Sequence, residues 1–295
     1  MLLPFLFPYL GMKNWLPFIF TGVLLVVGYD SYSQNVIRTK DIPYIPANSP
    51  TFDNKKHLLD IYRPKTITQA PPVIVFIHGG TWTHQSKNWY KFVGKEFAKH
   101  GFIAVIPNYR LSPEANYDQM MLDVTKAVVW AQDNSGYYGG DRNQVYIAGY
   151  SAGGHLAAMA ALNKEFFQNI DEKSALKGVI LIDPYGLELA DILASYPDKK
   201  AKRIGKPFGE SQLKRDRATP ANFLGQNNLP FLILHGKNTV KSIKSSIGSF
   251  TETAKNQGHE VNYQTFKRKG HFDMGTMLRW HNNPFYDYLN DFVKK

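Results

Sequence analysis

Short, continuously apolar runs alternate along the chain with longer stretches in which apolar residues recur every three or four positions. The runs are residues 72–78 (Pro-Val-Ile-Val-Phe-Ile-His), 102–107, 144–148, 178–182, 231–235 and 261–266. Their β-branched content and lack of alternation predict strands covered on both faces. Between them lie helical patterns. Residues 88–100 place Trp89, Phe92, Val93 and Phe97 at helical spacing, and Gly101 ends the segment. Residues 117–132 are the clearest amphipathic stretch, with Tyr117, Met120, Met121, Val124, Ala127, Val128 and Ala131 in one stripe. Residues 155–162, 242–257 and 284–293 predict three further helices. Residues 57–63 alternate well enough for an edge strand, whereas 35–54 read as an irregular, proline-containing segment.

Buried strands alternating with helices predict an α/β fold, a mainly parallel sheet covered by helices on both faces. There is no internal repeat and no linker between two domains. One interval breaks the rhythm. Residues 185–228 are long, basic and contain Gly205, Pro207, Gly209 and Pro220. A stretch of that length inside a compact domain is expected to carry short helices of its own or to form a lid.

The N-terminus changes the picture. Between residues 1 and 27 the sole charge is Lys13. Read from Met12, Lys13 is a short positive segment and residues 15–27 an apolar one. Ser31-Tyr32-Ser33 then supplies small residues before Gln34. That is the pattern of a signal peptide over residues 1–33, and export to the periplasm or medium is the expectation. The rival is an uncleaved membrane anchor, since residues 2–27 are long enough to span; Pro4, Pro8 and Pro17 argue against one continuous helix.

The 295 residues include no cysteine, which excludes disulfides, a thiol nucleophile and thiolate metal sites. Net charge is +11, and the excess is clustered. One group is Lys199, Lys200, Lys202, Arg203 and Lys206; a second is Lys214, Arg215 and Arg217; a third is Lys267, Arg268 and Lys269. No helix-turn-helix, zinc or RNA-binding motif accompanies them, so nucleic acid is not an expected partner. A basic soluble surface, or contact with anionic polysaccharide or membrane, fits the clusters. There is no His-x-x-x-His helix and no Gly-x-Gly-x-x-Gly or phosphate-binding loop, so neither metal nor cofactor is expected.

The chemistry centres on Gly149-Tyr150-Ser151-Ala152-Gly153-Gly154, between a predicted strand and a predicted helix. In that context Gly-x-Ser-x-Gly is a nucleophile elbow, a turn too tight for side chains beside the serine, which leaves Ser151 Oγ projecting. His78-Gly79-Gly80 follows the first buried strand, where the backbone N–H groups of a glycine-rich loop can approach and stabilise an oxyanion. Trp82 is a candidate pocket residue or loop anchor.

These motifs resemble the α/β-hydrolase fold, and within it secreted carboxylesterases related to hormone-sensitive-lipase-type esterases, feruloyl and acetyl-xylan esterases and kynurenine formamidases. Asn108-Tyr109-Arg110-Leu111, Gly139-Gly140-Asp141, Arg217-Ala218-Thr219-Pro220, Leu234-His235-Gly236 and Gly270-His271-Phe272 follow in the family's order. The resemblance spans about residues 55–295. It implies hydrolysis of small-molecule or saccharide-linked esters through an acyl-enzyme. It assigns Ser151 as nucleophile, Gly80, Thr81 and Ala152 as oxyanion-hole donors, and His271 as base in the order Ser, acid, His. His281 is a rival for the base; His78, His155 and His235 are expected to be structural.

The acid departs from the family's pattern. It is expected shortly after His235-Gly236, but Lys237-Asn238-Thr239-Val240 follows, so the position falls on Thr239, or on Asn238 if one residue is deleted. Three readings stay open. The acid has moved to Asp183, at the end of the preceding strand, where Asp183-Pro184 would otherwise be a structural turn. Alternatively, Asn238 or Thr239 orients His271 without charge. As a third reading, the chain is a degenerate hydrolase that binds without turnover. An amidase or peptidase of the same fold is the remaining alternative. Asp191 and Asp273 are weaker candidates for the acid, and Asp60, Asp123 and Asp141 are expected to make structural hydrogen bonds.

Overall fold

The computed structural model describes residues 35–194 and 197–294; the expected signal peptide, residues 1–33, lies outside the described residues. The strands are β1 (Val36–Pro43), β2 (Leu58–Pro64), β3 (Val73–Ile77), β4 (Ile103–Pro107), β5 (Val145–Tyr150), β6 (Leu176–Ile182), β7 (Phe231–Gly236) and β8 (Val261–Phe266). They form one sheet in the order β1-β2-β4-β3-β5-β6-β7-β8. β2 runs antiparallel to both of its neighbours, and from β4 to β8 every pairing is parallel.

The helices are α1 (Lys91–Lys99), α2 (Tyr117–Asn134), α3 (Ala152–Leu162), α4 (Glu165–Gln168), α5 (Leu189–Ala194), α6 (Asp198–Gly205), α7 (Gln212–Arg217), α8 (Lys241–Asn256), α9 (His271–Thr276) and α10 (Pro284–Val293). Among the described residues no helix is long and apolar enough to cross a membrane.

β3 shows how the strands divide the core. Val73, Val75 and Ile77 point into one apolar cluster with Met120, Val124, Leu156, Ile243 and Phe250 of α2, α3 and α8. Ile74 and Phe76 point into the other, with Phe97, Phe285 and Leu289 of α1 and α10. The two-residue strand period thus meets helices on both sides, which is why these strands read as unbroken apolar runs. α2 begins where Asn116 accepts a hydrogen bond from Gln119 N at 3.0 Å while Gln119 Oε1 accepts from Asn116 N at 3.0 Å, a reciprocal capping box.

The N-terminal edge differs from the sequence expectation. Residues 36–43 are not irregular: they form β1, and it is β1, not residues 57–63, that is the edge strand. β2 lies between β1 and β4. β1 is half-exposed and charged, so it carries no apolar signature, as suits an edge. A buried ion cluster fastens it. Asp60 on β2 receives Arg38 of β1 at 2.5 Å and the buried Lys87 Nζ at 2.6 Å, and Lys87 also meets Asp41 at 2.5 Å. Burial alone would raise the Asp60 carboxyl, but the hydrogen bonds from Lys87, Arg38 and Asp41 N outweigh it and hold it below its usual range.

Two further boundaries shift. Residues 88–100 divide into a 3₁₀ turn, Lys87–Tyr90, and then α1. The interval 185–228 contains α5, α6 and α7 with 3₁₀ turns at Lys206–Phe208 and Pro220–Gln226.

Candidate active site

The elbow between β5 and α3 is built from close approaches. A Cβ on Gly149 would stand 2.2 Å from Gly153 O, and one on Gly153 would stand 2.1 Å from Ile77 O. Both positions are closed to side chains, so β5 turns directly into α3. Ser151 sits at the turn with φ 55 and ψ −123, a strained conformation for a non-glycine residue.

His271 meets it. Ser151 Oγ and His271 Nε2 are 2.9 Å apart. The histidine is the first residue of the short α9. Tyr150, the neighbour of the serine, holds it twice. The Tyr150 hydroxyl donates to His271 O at 2.8 Å, and the two rings stack at 5.2 Å and 23°.

Across the imidazole lies Asp183. Its Oδ2 is 2.6 Å from His271 Nδ1, and the carboxylate is fully buried. Asp183 ends β6 with φ 44, again in the left-handed region, and its N–H donates to Leu234 O on β7 at 2.7 Å. Asp183 lies in a bend before Pro184, and that bend carries the carboxylate toward His271. Two further donors reach it: Gly236 N to Oδ1 at 3.0 Å and Thr239 Oγ1 to Oδ2 at 2.5 Å. Thr239 therefore touches Asp183, and no hydrogen bond joins Thr239 or Asn238 to the His271 ring. Asp273 caps α9 instead, accepting from Gly270 N at 2.7 Å. The side chain of Asp191 lies outside the described residues.

The glycine-rich loop after β3 lies against the elbow: a Cβ on Gly79 would be 3.3 Å from Ser151 Cβ. Gly80, Thr81 and Trp82 take φ 114, 48 and 60, three consecutive residues in the left-handed region. Thr83 N and His84 N both donate to Gly80 O, at 3.0 and 3.1 Å, which closes the loop on itself. Ala152 opens α3, where a backbone N–H has no intrahelical acceptor. Trp82 is fully buried and packs edge-on to His155 at 5.3 Å and Phe208 at 4.9 Å, so it anchors the loop between α3 and the 185–228 interval.

The other histidines serve packing. His78 Nδ1 is 2.8 Å from Gly79 O and its ring stacks on Tyr109 at 4.4 Å. His155 Nε2 donates to Ala218 O at 2.7 Å, which ties α3 to the 185–228 interval. Burial pushes both down to about 4, so both are neutral at physiological pH. His235 bonds Tyr263 Oη at 2.6 Å. Asp123 pairs with His57 at 3.1 Å and with Arg110 at 2.7 Å, and Asp141 Oδ1 accepts from Asn143 N at 2.8 Å.

One cluster escaped sequence reasoning. Glu96, His100 and His281 come from distant positions, yet their potential ligand atoms lie within 4.8 Å of one another. Direct bonds already occupy the group: His281 Nδ1 to Glu96 Oε2 at 3.1 Å and His100 Nε2 to His281 O at 3.1 Å. The two imidazoles stack at 4.4 Å and 29°.

A parallel sheet with one antiparallel strand, a strained serine between strand and helix, and a histidine and carboxylate arriving from later strands define an α/β-hydrolase. The chain belongs to the BD-FAE family, whose model matches residues 59–247, more than half of the sequence. It is similar to esterase LipC of Mycobacterium tuberculosis, 28% identical over 75% of this chain and 58% of that protein. It is also similar to kynurenine formamidase of Danio rerio, 22% identical over 89% of this chain and 86% of that protein. The chain spans 52–59% of the length of LipC, a probable isoprenylcysteine alpha-carbonyl methylesterase of Arabidopsis thaliana and esterase LipQ of M. tuberculosis. Among solved structures, esterase B from Lactobacillus rhamnosis superposes with TM-score 0.73 and 19% identity, covering 88% of this chain and 84% of that one. A truncated carbohydrate esterase from gut microbiota superposes with TM-score 0.74 and 20% identity, covering 88% and 95%. At these identities the superpositions speak for the fold.

Proposed function

We propose that the protein is a serine hydrolase of carboxylic esters. The observation that carries the reading is one continuous line of hydrogen bonds: Ser151 Oγ to His271 Nε2 at 2.9 Å and His271 Nδ1 to Asp183 Oδ2 at 2.6 Å. In this reading Ser151 Oγ attacks the acyl carbon as His271 Nε2 takes its proton, and Asp183 steadies the imidazolium that forms. The N–H groups of Gly80, Thr81 and Ala152 hold the developing oxyanion. The alcohol leaves with the proton from His271. A water activated by the same nitrogen then releases the acid. A carboxylate this close to the outer ring nitrogen supports an enzyme over a catalytically inert binding protein. The similarity to named esterases supports an ester as the substrate class.

A formamide is the second candidate substrate, favoured by the kynurenine formamidase relative, most of whose length the chain covers. The basic clusters, which include exposed Lys202, Arg203, Lys214 and Arg217 in the 185–228 interval, favour an ester attached to an anionic carrier such as an acidic polysaccharide. Export with cleavage after Ser33 completes the proposal on the strength of the N-terminal pattern.

The test is release of p-nitrophenol from acetyl to octanoyl p-nitrophenyl esters by the purified protein and its Ser151→Ala variant. Activity that disappears in the variant supports the reading. Equal rates from both proteins across the series contradict it.

A further inference from the structure

We infer that Thr239 is a positioning residue for the acid. The inference rests on the reading of Ser151, His271 and Asp183 given under Proposed function and extends it to a residue outside that trio. Asp183 Oδ2 has two hydrogen-bond partners in the structure, His271 Nδ1 at 2.6 Å and Thr239 Oγ1 at 2.5 Å. The second distance falls in the range of a hydroxyl donating to an ionised carboxylate. Oδ1 is taken by Gly236 N at 3.0 Å. The carboxylate is therefore held on both oxygens by groups from the β7–α8 connection, although it belongs to β6.

Three facts give the threonine hydroxyl a task that a plain packing residue would not have. Asp183 is fully buried, so a lost donor is not replaced by bulk solvent. Its backbone is at φ 44, with Pro184 next in the chain, so the carboxylate is presented from a strained turn that a neighbour must secure. Thr239 is itself buried and its backbone is fixed, N–H to Gly236 O at 3.1 Å, on the same turn that supplies the Gly236 donor. The turn after β7 thus acts as a two-point clamp. Thr239 fixes which way Oδ2 faces, and hence where His271 Nδ1–H finds its acceptor.

The obvious variant is Thr239→Val, which keeps the shape and removes the donor; Thr239→Ala serves if the valine protein does not fold, and Thr239→Ser restores the hydroxyl. Thermal unfolding checks each fold. Two readouts are taken. The first is p-nitrophenyl acetate hydrolysis over a pH series. The second is the low-field proton signal of His271 Nδ1–H in the resting protein, which needs no turnover. With valine, kcat should fall roughly tenfold, the scale of one hydrogen bond to a charged group, with KM changed by less than about twofold. The Nδ1–H signal should move downfield, because Oδ2 now has a single donor to satisfy. Serine should restore both the rate and the signal.

A valine variant with unchanged kcat and an unmoved signal overturns the proposal, and so does a serine variant that fails as badly as valine. If the wild-type protein shows no Ser151-dependent turnover, it is the ester-hydrolase reading that fails. The proton signal alone then decides Thr239: a shift with valine that serine reverses sustains the clamp, and its absence removes it.

Discussion

The Asp183 carboxylate reaches His271 across one intervening strand: Oδ2, just past the end of β6, lies 2.6 Å from Nδ1 of a histidine that follows β8. The loop after β7, which lies between them in the sheet, carries Thr239 and Asn238 and no carboxylate. If this pair serves the base, Asp183→Asn leaves the shape of the site and reverses the preferred ring tautomer. The expected loss in kcat is on the order of 10⁴, with KM little changed, measured by steady-state ester hydrolysis. Asp273→Asn, which removes a charge from the cap of α9 and leaves His271 its partner, should stay within about tenfold of wild type.

Tyr150 is the second support of the histidine. Tyr150→Phe keeps the ring stacked on His271 and removes the hydroxyl that donates to His271 O at 2.8 Å. Loss of that one neutral hydrogen bond should cost about 1 kcal/mol of stability, seen as a lower midpoint in thermal unfolding. A several-fold drop in kcat should accompany it, because the backbone of His271 then loses its hydrogen bond to the elbow.

The elbow tolerates no side chain. Gly149→Ala places a methyl group 2.2 Å from Gly153 O, in backbone that cannot move without displacing Ser151. The expected result is an insoluble or inactive protein. Gly248→Ala is the contrasting change, since Gly248 is exposed on α8 and a Cβ there meets nothing within 4 Å. It should stabilise by about 0.5–1 kcal/mol and leave the rate unchanged. Differential scanning of the two variants reads both effects.

Acid should unfold the N-terminal edge early. Asp60 and Asp123 are both held below the usual carboxylate range. Burial opposes this in each, but hydrogen bonds outweigh it, from Lys87 and Arg38 at Asp60 and from His57 and Arg110 at Asp123. A carboxyl whose folded value is depressed contributes stability above its unfolded value, near 4, and loses it as pH falls through the folded value. Stability should therefore decline steeply below about pH 4. Asp60→Asn should flatten that decline and should destabilise the protein near neutrality by about 3–5 kcal/mol, because the buried Lys87 loses its main partner. Urea midpoints across the pH range measure both.

The strands that carry the site were legible because each is buried on both faces and reads as an apolar run. β1 was not, because its side chains are half-exposed and charged and its partner is found by pairing with β2 rather than by pattern. The same omission made β2 look like an edge. Ser151 and His271 could be picked out by motif and order. For the acid, Asp183 was one of three open readings, because the position expected after His235-Gly236 falls on Asn238 or Thr239 and no local pattern chooses among them. What separates them is the spacing of β6, β7 and β8 and a backbone at φ 44 that aims one carboxylate at the imidazole. Tyr150 showed no signal beyond being the variable residue of the elbow. The grouping of Glu96, His100 and His281 depends on α1 packing beside the turn before α10, which no local pattern announces.

Activation of Ser151 Oγ by His271 can be read without any substrate being turned over. The most direct measurement is the intact mass of the full chain after exposure to a p-nitrophenyl alkylphosphonate, followed by peptide mapping. One phosphonyl adduct is expected, located on Ser151, absent in Ser151→Ala and formed far more slowly in His271→Ala. An unmodified protein, or an adduct on another residue that persists in Ser151→Ala, would contradict it.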